Sequence, residues 1–160
     1  MSSALRVMGI DPGYDRLGIG IIAGSKGSEE YVFSTCITTD KTTELADRLV
    51  ELGTSLSALI TEHAPDVLAI ENTFFNTNKT TALKVSEARG VVLYEARKAG
   101  LTIYEYTPPQ IKLAIAGHGH ADKQQVTDMV CRLLSIDMTI NRLDDEYDAL
   151  AVALTHTAHT

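Results

Sequence analysis

The chain reads as a mixed α/β fold, a sheet with an antiparallel meander and parallel strands, flanked by helices. Three observations carry this. Three strand-like segments come first, joined by links too short for a helix. Two further short apolar segments follow, each reached only after a long stretch of helical periodicity. The remainder is helical, and its last segment is almost wholly apolar. A meander followed by helical crossovers places antiparallel and parallel strands in one sheet.

The elements follow in order. Leu5–Ile10 is mostly apolar, Leu17–Ala23 is rich in Ile and Gly, and Tyr31–Thr38 alternates in part. The links around Pro12-Gly13 and Gly24–Ser28 suit hairpins. A helix is predicted from Glu44 to His63 with Thr43 as its N-cap, because Leu45, Leu49, Leu52, Leu56, Leu59 and Ile60 share one face. Asp66–Glu71 (DVLAIE) reads as a buried strand. A loop over Asn72–Asn78 leads to a second helix, Lys79–Ala99, and then to a short strand, Leu101–Tyr106. Pro108-Pro109 opens a short helix, as Pro favours the first turn. Another helix covers Ala121–Ser135, with Val126, Met129, Val130, Leu133 and Leu134 on one face. The last begins near Arg142, with Asn141 as candidate cap.

Bulk properties narrow the function. A length of 160 residues suits one domain with a real core. The 44% hydrophobic and 22% charged content is that of an ordinary globular protein, and no apolar run is long enough to cross a bilayer. The start, MSSALRVMGID, lacks the features of a signal peptide, so a cytoplasmic location is expected. Cys36 and Cys131 sit in no CxxC pair and are expected to be buried free thiols. A net charge of −7 argues against a protein that coats nucleic acid. It leaves a nuclease open, since carboxylates awaiting cations lower the charge of the metal-free chain.

The placement of the acids is more informative than their number. Asp11 ends the first strand (GIDPG), and Glu71 ends the fourth (LAIE). If those strands are parallel neighbours, both acids emerge at one sheet edge, where α/β proteins place their sites. Asp145 and Asp148, three apart, share a helix face ahead of a buried apolar stretch. Such oxygen-rich sites suit Mg²⁺ or Mn²⁺ and can hold two ions ~4 Å apart. Each acid also has a plainer reading. Asp11 reads equally as a turn aspartate and Glu71 as a strand-end charge. Asp144 and Glu146 read as complements to a helix dipole.

At these residues the chain resembles the RuvC family of Holliday-junction resolvases, within the ribonuclease H-like superfamily. The resemblance spans nearly the whole chain. It rests on GIDPGYDRLGIGII, LAIENTFF, ALKVSEARGVVL, YTPPQIKLAIAGHGHADKQQV and DDEYDALAVALTH, in that order. It implies a ribonuclease H-like sheet of five strands and a site made of Asp11, Glu71, Asp145 and Asp148. These four would hold up to two Mg²⁺ ions per subunit, with Mn²⁺ as a substitute. It also implies a homodimer that cuts a four-way DNA junction symmetrically, leaving 5′-phosphates and 3′-hydroxyls, in contact with a branch-migration motor.

Further residues match with less specificity. Lys112 and Lys123 match basic residues near the DNA, though each reads also as a solvated lysine. Phe74 matches an aromatic used on unpaired bases, or is a core residue beside Phe75. The helix matching the family's dimer helix offers Ser86, Ala88 and Gly90, with Glu87 and Arg89 as candidate inter-subunit partners, or packs only on its own sheet. His118 and His120 lie in a glycine-bearing loop without a third metal ligand; the loop reads as a phosphate contact or simply as exposed. His156 is too far along its helix from Asp148 to be assigned to the metal. The sequence stops soon after its final helix without a basic extension, and its acidic balance is unusual for a DNA binder. Three other readings stay open. One is a non-cleaving junction-binding module, another a fragment of an actin-like or sugar-kinase ATPase suggested by the DPG turn. The third is a ribonuclease H-like enzyme acting on RNA or hybrids.

Overall fold

The computed structural model describes residues 3–73 and 79–160. Five strands, β1 (Arg6–Asp11), β2 (Arg16–Ala23), β3 (Glu30–Thr38), β4 (Val67–Glu71) and β5 (Thr102–Tyr106), form one sheet in the order β3-β2-β1-β4-β5. The first three pair antiparallel, whereas β1–β4 and β4–β5 are parallel. The crossovers are α1 (Leu45–His63), between β3 and β4, and α2 (Lys79–Lys98), between β4 and β5. The chain then continues through α3 (Pro108–Ala116), α4 (Lys123–Leu134) and α5 (Asp144–Ala158).

Side chains alternate across the strands and build two cores. Met8, Ile10, Ile19 and Ile70 pack with Leu52 and Leu56 of α1 and Val92 of α2. On the opposite face, Val7, Ile22 and Ala69 pack with Ile111 of α3, Val130 of α4 and Leu150 of α5. This arrangement explains why α5 reads as apolar nearly all round. It lies across the sheet and under α3 and α4, so residues Ala149 through Thr157 are all buried.

Two glycines let α5 lie unusually close to the strands. A Cβ on Gly9 would fall 2.7 Å from Ala153 N, and one on Gly18 would fall 2.8 Å from the Asp145 carbonyl carbon. Distances below 3 Å to backbone leave no room for a methyl group, so only glycine permits this approach. Gly18 is also the residue paired with Asp11 across β1 and β2. The first turn of α5 is thereby laid directly beside the end of β1.

Several local expectations need correction. The residue at the N-cap of α1 is Glu44, with no side-chain cap bond, whereas the Thr43 hydroxyl donates to the Asp40 carbonyl at 2.9 Å. A turn at Asp40 uses Thr43 before the helix starts. Asn141 does not cap α5, because that helix starts at Asp144 with Leu143 as its cap residue. Leu133 remains 45% exposed, on the solvent side of α4. Cys131 is buried as expected, but Cys36 is only half-buried, because its side chain reaches the rim of the acidic cluster; both thiols are free.

Candidate active site

The parallel register Ile10↔Ile70 sends Asp11 and Glu71 out of the same sheet edge, on the face that α5 covers. Asp145 and Asp148 meet them from the first turns of α5. Asp11, Asp145 and Asp148 offer carboxylate oxygens that all lie within 4.8 Å of one another. Glu71 falls outside that triad but accepts a hydrogen bond from Asp11 and feels the charge of Asp148.

Four acids so placed repel one another in a half-buried setting. Burial, followed by the charges of Asp148, Glu71 and Asp145, raises the Asp11 pKa from 3.8 to about 8. Burial and Asp148 also raise Glu71, against the lowering effects of the Asp11 hydrogen bond, Lys112 and Lys123. Asp148 is raised by burial, with Lys123 opposing. A raised pKa at Asp11 and the neighbouring bases Arg16 and Lys123 offset this repulsion. The donor set is hard and all-oxygen, and it fits Mg²⁺ or Mn²⁺ rather than a softer metal.

The bases sit on both flanks. Lys123 Nζ lies 3.3 Å from Asp148 Oδ2 and 3.7 Å from Asp144 Oδ2. Arg16 Nη1 lies 3.3 Å from Asp145 Oδ2 on the other side, and the Cys36 thiol approaches the same oxygen at 3.9 Å. Burial, together with Asp145, pushes that thiol up to about 11, so it stays protonated and donates. Beside the acids is a cavity of about 350 Å³. Glu71, Asp148, Lys112 and Lys123 form its charged rim, and Ile111 and Val126 lie in its apolar wall.

The expected site residues fare differently. Asp11, Glu71, Asp145, Asp148, Lys112 and Lys123 all converge here. Phe74 lies outside the described residues. His118 and His120 are exposed beyond the end of α3, and neither belongs to a metal-capable cluster among the described residues. His156 is a buried structural residue. Its Nδ1 is 2.8 Å from Tyr106 Oη, its ring packs at a tilt against Tyr104, and burial lowers its pKa. On α2, Ala88 is buried against the sheet while Ser86 and Gly90 face outward. Arg89 pairs with Glu105 of its own chain.

Two contributors lie outside the site residues singled out from the sequence. Arg16 stands five residues past Asp11, across a turn whose sharpness brings it back to the acids. Glu146 looked like a dipole complement but makes specific bonds. Its Oε2 accepts from the Leu143 amide at 3.0 Å, and its Oε1 accepts from the Ser34 hydroxyl at 2.8 Å. The basic residue in the first motif was a usable pointer to Arg16. No local pattern pointed to the Ser34 contact, which spans 112 residues.

Comparisons with known proteins agree with this geometry. A family model described as crossover junction endodeoxyribonuclease RuvC matches residues 7–156. The RuvC crossover junction endodeoxyribonuclease of Thermosipho melanesiensis is 44% identical over 149 residues, which cover 93% of this chain and 94% of that protein. Its counterpart in Desulfitobacterium hafniense is 46% identical over 155 residues, with coverage of 96% and 92%. Among solved structures, T. thermophilus RuvC in complex with Holliday junction substrate matches with a TM-score of 0.92 at 34% identity, covering 97% of this chain and 94% of that one. The yeast mitochondrial Holliday junction resolvase, at 14% identity and a TM-score of 0.70, shares the fold. The sheet topology, the acidic cluster and these matches lead to one assignment: the chain belongs to the RuvC family of crossover junction endodeoxyribonucleases.

Proposed function

We propose that this protein resolves four-way DNA junctions, as a structure-selective endodeoxyribonuclease working in recombination and repair. The observation that carries the reading is the convergence of Asp11, Glu71, Asp145 and Asp148 beside two lysines, in a chain whose family relatives bear that activity in their names. Asp11, Glu71, Asp145 and Asp148 are the catalytic and metal-holding residues. They would hold up to two Mg²⁺ ions per subunit, or Mn²⁺ in their place, which when bound would supply positive charge and a nucleophilic water at neutral pH.

The chain's own groups do the rest. The four carboxylates orient an attacking water in line with the scissile bond. Lys112 and Lys123, at the cavity rim, hold the phosphate and offset the charge that builds as the bond to the 3′ oxygen breaks. That oxygen leaves as a 3′-hydroxyl and the phosphate stays on the 5′ end, with no covalent enzyme intermediate. Phe74, following Glu71 in the chain, stacks on an unpaired base and helps hold the junction open.

Symmetric cutting needs two sites, and a homodimer supplies them. A groove between α1 and α2 supports this, with Val50 and Tyr94 on its walls 67% and 65% exposed. A Cβ at Gly90 would meet nothing within 4 Å, so this stretch of α2 is open to a second backbone. Gly90→Arg is expected to leave the fold intact but yield monomers in sedimentation and unpaired nicks. An unchanged dimer would exclude α2 from the interface. The protein acts as a single domain, in the cytoplasm, alongside a branch-migration motor; no helix among the described residues is long and apolar enough to cross a membrane.

The test is cleavage of a synthetic four-way junction beside linear duplex and RNA–DNA hybrid, with and without Mg²⁺. Paired, Mg²⁺-dependent nicks confined to the junction are expected. Cutting in EDTA or of the hybrid alone would overturn the reading.

A further inference from the structure

The four acids rest on unequal supports. Asp11 and Glu71 leave strands at the centre of the sheet, but Asp145 and Asp148 ride on the first turns of α5, whose cap residue Leu143 has an apolar side chain that accepts no capping bond. A helix start without a cap frays, because its first amides lack partners. Glu146 stands between the two acids in sequence and ties this start down, one oxygen to an amide and the other to the sheet. Oε2 accepts from the Leu143 amide at 3.0 Å. Oε1 accepts from Ser34 Oγ at 2.8 Å, a half-buried contact to the edge strand β3. Ser34 Oγ in turn lies 3.0 Å from Tyr31 Oη, and the Arg142 guanidinium sits 5.3 Å from the Tyr31 ring centroid. Residues on both sides of the start of α5 are thus tied to one strand through Glu146, Ser34 and Tyr31.

We infer that Glu146 is a positioning residue for this site. It clamps the start of α5 to β3, so that Asp145 and Asp148 are already in place when a cation and the phosphate arrive. The inference rests on the metal-dependent nuclease reading above, and it goes beyond a favourable charge at a helix N-terminus. The two explanations separate in variants. Glu146→Gln removes the charge but keeps both bonds: the amide oxygen accepts from Leu143, and the amide nitrogen donates to Ser34 Oγ. Glu146→Ala removes charge and bonds together. Ser34→Ala removes only the tie to the strand.

Three measurements on the full chain test it. They are Mn²⁺ binding by calorimetry, the Mg²⁺ concentration for half-maximal junction cleavage, and amide exchange across Leu143–Asp148 in the metal-free protein. Loss of a residue that orients metal ligands weakens metal binding about 10-fold or more. Glu146→Ala should therefore raise both metal midpoints about 10-fold and speed exchange in the first turn of α5. Ser34→Ala should shift them in the same direction, and Glu146→Gln should remain close to wild type. Glu146→Ala with wild-type metal midpoints, or Glu146→Gln as impaired as Glu146→Ala, would overturn the inference. If wild type itself fails to cut the junction, the nuclease reading falls, and the calorimetry and exchange still judge the clamp.

Discussion

Asp11→Asn should abolish Mg²⁺-dependent junction cleavage and, in the same protein, raise the thermal stability of the metal-free form. The two effects have one cause. Asp11 is the acid most crowded by its neighbours, with burial and three carboxylates raising its pKa to about 8. Its folded pKa lies above the ordinary aspartate value of 3.8, so the stability from its protonated form is fully present below about pH 4. That stability is lost progressively as pH rises through about 8. Asparagine keeps the shape and cannot ionise, which removes that loss. A gain of about 2 kcal/mol at pH 8, or roughly 4–8 °C in Tm for a chain of this size, is expected. The gain should shrink toward pH 5, where wild-type Asp11 is itself neutral. Cation binding must displace the same proton, so Mg²⁺ should stabilise wild type more at pH 8 than at pH 6 and Asp11→Asn little at either. Calorimetric melts at the two pH values, with and without Mg²⁺, read all of this. A variant less stable than wild type at pH 8 would show that Asp11 contributes a structural bond instead.

The second large effect is expected at Lys123. Burial lowers its pKa, but Asp148, Asp144 and Asp11 outweigh that and raise it, so it is charged throughout the working range. Its ammonium reaches Asp148 and stands at the cavity rim where the phosphate is expected. Lys123→Met keeps the length of the side chain and removes the charge. The rate of junction cleavage at saturating Mg²⁺ should fall about 100-fold, the usual effect of removing one group that stabilises developing charge. Junction affinity should fall less, with a slightly shallower salt dependence, since a single phosphate contact contributes only one part of the electrostatic attraction. Asp148 would at the same time lose the cation that holds its pKa down. Onset of cleavage should then move to higher pH in the variant. Single-turnover rates across pH separate these effects; a loss confined to binding would make Lys123 a docking residue with no part in the chemical step.

Most of the fold could be read from local pattern. The meander followed from turn chemistry at Pro12-Gly13 and Gly24–Ser28, and the crossovers from helical periodicity over Leu45–Ile60, because period and punctuation are local properties of the chain. Helix starts were the weak point. Thr43 and Asn141 have good capping chemistry, yet Thr43 serves the Asp40 turn and α5 begins three residues after Asn141. The competition between a turn and a cap is settled by where the neighbouring strands let the helix lie.

The four carboxylates were identifiable as candidates because each sits where an element ends or begins: Asp11 and Glu71 after apolar strands, Asp145 and Asp148 ahead of an apolar helix. Sequence alone determined that these acids were available and that Asp145 and Asp148 shared a helix face. Their meeting was decided by tertiary structure. It requires β4 to lie parallel beside β1 and α5 to settle over Gly9 and Gly18, where any Cβ would strike the helix backbone. The same holds for Arg16 beside Asp145 and for Ser34 holding Glu146, contacts between segments more than 100 residues apart. Periodicity reports which face of an element is apolar, but side chains far apart in the chain become neighbours only when packing sets the distance and angle between elements.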